Sequence, residues 1–146
     1  MRRIKRVEAV IDVVQRDEKD LARSLAQARR QLDVEQYKLK RLRAYMDDYR
    51  LRQSVRSGPV KPALLRENRG FLQRLGEAVA QQRQQLAVAQ ARIDALAARW
   101  RETRTRVSAL ERAAGRLRED QARREARREQ AATDEAGSRT GGFRLR

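Results

Sequence analysis

The sequence contains no cysteine and no histidine. Disulfides, zinc–thiolate sites, cysteine nucleophiles and Ser–His–Asp triads are excluded with them, because each needs at least one of these side chains. The lack of cysteine also fits a reducing compartment. Aromatic residues make up only 4% of the chain, too few for the stacking platforms that grip single-stranded nucleic acid. No run approaches the roughly 20 apolar residues that a membrane-spanning helix requires. The basic start, Met1-Arg2-Arg3-Ile4-Lys5-Arg6, is followed by Glu8, Asp12, Asp17 and Glu18. A signal peptide needs an unbroken apolar run there, so the expectation is a cytoplasmic protein.

Proline is scarce too. Pro59 and Pro62 are the only two, both within Ser57-Gly58-Pro59-Val60-Lys61-Pro62. A proline inside a helix costs about 3 kcal/mol, so a first helix should stop before this run. Pro62 suits the first position of a second helix, where its missing N–H is not needed. Further along, Gly137, Gly141 and Gly142 fall in a stretch with no apolar period, which predicts a flexible tail over 137–146.

What is plentiful is arginine, alanine, glutamine, glutamate and leucine, all good helix formers. Charged residues reach 38% and the mean hydropathy is −0.92. This is the composition of long helices or a coiled coil, in which each helix buries one apolar stripe.

The spacing agrees. Steps of three and four from Ile4 give Val7, Ile11, Val14, Glu18, Leu21, Leu25, Ala28, Leu32, Glu35, Leu39, Leu42, Met46 and Tyr49. The same steps from Leu72 give Leu75, Val79, Gln82, Leu86, Ala89, Ile93, Leu96, Trp100, Thr103, Val107, Leu110, Ala114 and Leu117. Only Glu18, Glu35, Gln82 and Thr103 interrupt these two stripes. A heptad seam held this long calls for a left-handed supercoil with a partner helix. Two seams of equal length joined by one Pro/Gly turn favour folding back within one chain. The predicted architecture is all-α, an antiparallel two-helix coiled-coil hairpin over 1–136. Helix one spans about 3–56, the turn about 57–61 and helix two about 62–134.

A register follows, with Tyr49 beside Leu72 and Ile4 beside Leu117. It sets Ala28 against Ile93, Leu32 against Ala89 and Glu18 against Thr103. It also sets Glu35 against Leu86, a mismatch unless the carboxylate reaches the edge. Helix two should overrun Met1, leaving about Arg118 to Thr133 without a partner helix. That stretch has close Glu–Arg pairs but little to bury.

Tyr45 precedes the seam residue Met46, and Phe71 precedes the seam residue Leu72. Both therefore flank the seam on one side near the turn, with Ala78 and Lys38 further along. Together with the edges of Leu42, Tyr49 and Leu75 they form an apolar strip where a solvated coiled coil would carry charge. Such a strip marks a binding surface or covers the end of the seam. Trp100 reads as a core residue. Nothing in the sequence supplies a catalytic constellation, a phosphate loop or metal-ligand spacing, so no enzyme activity, cofactor, metal or small-molecule substrate is expected.

The formal charge of +16 admits nucleic acid, an anionic membrane surface or an acidic protein as partner. Acidic residues are interleaved along most of the chain, however, including Glu119, Asp120, Glu125 and Glu129 among the arginines of the overrun. DNA-gripping coiled coils instead extend a basic block from the zipper. A nucleic-acid-binding protein is thus the lesser alternative.

Several short stretches, in order, resemble the FliJ family of flagellar export proteins. They are Tyr45-Met46-Asp47-Asp48-Tyr49-Arg50, then Asn68-Arg69-Gly70-Phe71-Leu72-Gln73-Arg74-Leu75 leading to Ala78 and Gln82, then Trp100, and finally Asp134-Glu135-Ala136 with Arg139. The resemblance covers nearly the whole chain. It implies a non-enzymatic stalk, similar to the γ subunit of rotary ATP synthases, linking the hexameric export ATPase to the membrane export gate. It also implies escort of flagellar substrate chaperones. The implied gate-binding residues are Leu42, Tyr45, Tyr49, Phe71, Leu75 and Ala78; Lys38 and Gln82 match in position but not in residue type. The implied ATPase-facing end comprises Ile4, Val7, Ile11, Val14, Val107, Leu110, Ala114 and Leu117, with the overrun. On this view the protein is a monomer, cytoplasmic and peripheral to the inner membrane at the flagellar base. A virulence-type secretion stalk of the same architecture is the alternative within the class.

Overall fold

The computed structural model describes residues 2–56 and 58–144, with side chains as far as residue 140. Two α-helices account for nearly all of it, α1 (Arg2–Val55) and α2 (Pro62–Arg144), packed against each other as a helical hairpin. α1 ends just before the predicted turn, and α2 begins at Pro62 itself. Lys61 supplies the first helical acceptor, its carbonyl taking the Leu65 amide at 3.1 Å. Gly58 has a φ of 109°, a left-handed conformation that side chains resist, which is why the reversal needs glycine there.

At its far end α2 continues past the expected limit near 134, through Gly137 to Arg144. Leu145 and Arg146 fall outside the described residues. Local bonds hold the extension: Arg139 Nη2 reaches Glu135 Oε1 at 3.0 Å, and the Thr140 hydroxyl donates to the Ala136 carbonyl at 2.8 Å. One glycine costs a helix about 1 kcal/mol, which does not by itself end it.

Every described residue that is buried falls on one of the two predicted seams. The chain forms two compact units, one of residues 1–19 with 101–146 and one of residues 20–100. In the first, Ile11, Val14, Val107 and Ala114 are buried, and Ala114 is 0% exposed. Its flank is closed by Arg118 Nη2 on Glu8 Oε1 at 2.8 Å and by Gln15 Nε2 on Glu111 Oε1 at 3.2 Å. These two pairs lie seven residues apart on each helix, in opposite directions, as an antiparallel heptad register demands.

The second unit has its core at Leu25, Ala28 and Ile93, with Leu32, Leu96 and Ala97 packed around them. Ala28 and Ile93 share this cluster, a small residue meeting a large one as the register required.

Candidate functional site: an aromatic strip beside a buried polar layer

The second unit, near the turn, brings three of the predicted strip residues into ring contact. Heptad position puts Tyr45 and Phe71 on the same flank of their helices, one residue before the seam. Tyr49 comes from the seam itself. The Tyr45 and Phe71 rings meet edge to face, with centroids 6.2 Å apart. Tyr49 and Phe71 are closer, at 4.7 Å and tilted by 55°. Such pairs contribute about 0.5–1.5 kcal/mol beyond simple burial. The Tyr49 hydroxyl donates to Asn68 Oδ1 at 2.7 Å, tying α1 to the first turns of α2.

The other strip residues are divided between surface and seam. Leu42 and Ala78 are half-buried, whereas Leu75 is buried in the seam and offers the surface little. Tyr45 is the most open of the set, at 54% exposure. An exposed tyrosine held by a neighbouring ring is rigid and amphipathic, the combination that recurs at protein-binding hot spots. Tyr37, the remaining tyrosine, lies outside the strip, where Arg41 stands 5.8 Å from its ring centroid and Arg41 Nη1 donates to its hydroxyl at 3.1 Å.

About three helical turns further from the reversal lies an arrangement that heptad reasoning did not foresee. Glu35 and Gln82, at 6% and 8% exposure, pair with each other across the helices. Gln82 Nε2 donates to Glu35 Oε2 and, at 3.0 Å, to the Glu35 carbonyl oxygen. Gln31 Nε2 donates to the other carboxylate oxygen, Oε1, at 2.9 Å, and Lys38 Nζ lies 3.7 Å from that same oxygen. The Gln82 bond holds the Glu35 carboxyl below its ordinary value of 4.5; burial pushes it up, while Gln31 and Lys38 add to the lowering. The expected neighbour, Leu86, is not the group that satisfies this carboxylate. The sequence did hold a signal, since Glu35 and Gln82 are the only polar seam positions in the central stretch and lie within one layer of each other.

Gln82 and Lys38 are the two polar side chains that the sequence placed alongside the strip. Both are engaged with Glu35, Gln82 by hydrogen bonds inside the seam and Lys38 by charge at its rim.

The residues predicted for the ATPase-facing end all lie in the first unit. Ile11, Val14, Val107 and Ala114 are buried, while Ile4, Val7, Leu110 and Leu117 are half-buried. They build the helix pair rather than its outer face. What that unit exposes nearby is Val10 and Val13, which the seam pattern passes over. Beyond Gln121, every described side chain of α2 is exposed. The seam ends at Leu117, and Gln121, Arg124 and Arg128 take the places that apolar residues would hold.

Among the described residues no group of three or more acidic side chains is placed to hold a metal ion, and no helix is long and apolar enough to cross a membrane. The family model described as flagellar FliJ protein matches residues 3–143. No curated protein and no solved structure gives a significant match.

Proposed function

The chain belongs to the flagellar FliJ protein family, whose members are non-catalytic components of the flagellar export apparatus, and we propose that it acts there as a stalk between the export ATPase and the membrane export gate. On this reading the strip of Tyr45, Tyr49 and Phe71 docks onto the gate, and the unpartnered length of α2 enters the ATPase hexamer. The observation that carries the proposal is the aromatic strip. Three rings in contact at the surface, in a chain with so few aromatic residues, form an apolar anchor where the heptad pattern would place charge.

The overrun supports the ATPase end of the reading. Its seam positions are polar, so it has no use for a second strand of this hairpin. Its exposed Arg and Glu side chains are free to meet a charged lining. Escort of substrate chaperones belongs to the same proposal. So does a cytoplasmic location at the inner-membrane base of the flagellum, where the protein works as a monomer whose seam is satisfied within one chain.

The test is a pull-down of the tagged protein from its native cytoplasm. Recovery of the export ATPase is the expected result; its absence, with the tagged protein folded and abundant, would remove the stalk assignment.

A further inference from the structure

Glu35 and Gln82 stand out because a coiled coil does not need them. Leucine at both positions would pack well, whereas a carboxylate and an amide inside a seam add nothing to apolar burial. Buried polar groups of this kind survive where they select one arrangement over its competitors. Here the competitors can be enumerated. A slip of one heptad would set Glu35 opposite Leu75 or Ala89, and Gln82 opposite Ala28 or Leu42. Either slip takes Gln82 from the carboxylate, leaving it only Gln31 and Lys38 of its own helix, and sets the Gln82 amide among apolar side chains, which is unfavourable. A parallel pair of two copies would bring Glu35 against its own counterpart, two like charges in one buried layer. Of these arrangements, only the observed antiparallel register gives the carboxylate Gln82; Gln31 and Lys38 reach it from its own helix in any register.

The register decides more than stability. The strip is composite, with Tyr45 and Tyr49 from α1 and Phe71 from α2. Moved by one heptad, Tyr45 would face Leu64 or Ala78, and Tyr49 would lose both Phe71 and Asn68. We infer that Glu35 and Gln82 are positioning residues for the binding strip, a polar layer whose pairing selects the one register in which the three aromatic rings meet. This deepens the docking role proposed above and rests on it only for its binding readout.

The experiment combines a distance with an affinity. The chain has no cysteine, so spin labels can be placed at Gln27→Cys and Arg92→Cys alone; both side chains line one groove in the second unit and lie outside the layer. A one-heptad slip would shift one label by about 10 Å along the helix axis relative to the other and so lengthen their separation. In the parent protein a single narrow distance is expected. With Glu35→Leu and Gln82→Leu together, a second population should appear at a longer distance, and affinity for the gate protein should fall at least tenfold while the melting temperature does not fall. The exchanged pair, Glu35→Gln with Gln82→Glu, keeps the bond and should restore both the single distance and the affinity.

A double-leucine protein with one native distance and full affinity would overturn the inference. So would an exchanged pair that slips, which keeps the test decisive if the double-leucine protein does not fold. Should the unaltered protein fail to bind the gate, the docking proposal falls while the distance measurement still judges the layer.

Discussion

The ring of Tyr49 lies 4.7 Å from that of Phe71, and its hydroxyl donates to Asn68 only three residues earlier on the same helix. One side chain of α1 is thereby held at two points of α2. This leaves Tyr45, at the outer edge of the cluster, as the ring with most surface to offer a partner. Replacing Tyr45 and Phe71 by alanine should weaken binding to the export gate roughly 30-fold, the scale of one hot-spot loss near 2 kcal/mol. Circular dichroism should show unchanged helical content, because neither residue is on the seam. Isothermal titration against the cytoplasmic part of the gate protein checks this, and unaltered affinity would dismiss the strip.

Acid should weaken the hairpin partly through Glu35. Its carboxyl titrates below 4.5 in the folded protein, so folding favours the ionised form. That stabilisation is complete above the unfolded value and fades as pH falls through the folded one. Thermal melts at pH 7 and pH 3 should therefore show a smaller acid-induced drop for Glu35→Gln than for the parent. Equal drops would mean that the layer carries no share of the acid sensitivity.

Leu25 tests the seam directly. It is buried against Ala28 and Ile93, and Leu25→Ala should cost about 2–5 kcal/mol in urea unfolding. Val13, exposed on the outer face of α1, should tolerate alanine within about 0.5 kcal/mol. Similar losses at both sites would contradict the assignment of core and surface.

Gly76 offers a change in the other direction. It lies inside α2, and a Cβ built there would meet nothing within 4 Å. Gly76→Ala should therefore stabilise the protein by about 1 kcal/mol, through helix propensity and a more restricted unfolded chain. Its heptad position is on the flank away from Tyr45, so gate affinity should stay as it was.

Removing residues 119–146 should leave the melting temperature nearly unchanged, since from residue 122 to 140 every side chain is exposed. The same truncation should abolish recovery of the export ATPase in the pull-down. A truncated protein that still captures the ATPase would move that contact elsewhere, with exposed Val10 and Val13 the next surface to examine.

The helices and their turn were legible because their signals are local and strong. Two prolines and one glycine mark the reversal, and the three–four step survives over both helices. The aromatic strip was legible for the same reason, since a residue's flank follows from its distance to the seam. The Glu35–Gln82 pairing was not. Heptad counting assigns each residue to a layer, but a long polar side chain can reach into the next one, and only its hydrogen bonds say which way it goes. The continuation of α2 past Gly137 was missed because glycine content weighed against it, while the Arg139–Glu135 and Thr140–Ala136 bonds that sustain the helix carry no apolar period.

Ala114 bears on how the first unit accepts change. Its lone methyl is wholly covered, and Glu8, Ile11 and Arg118 line the same groove. Alanine there is fully covered between the two helices, so a larger side chain would press on its neighbours. A valine at that point would crowd the groove, and the clasp between Glu8 and Arg118 that borders it would be the first to adjust.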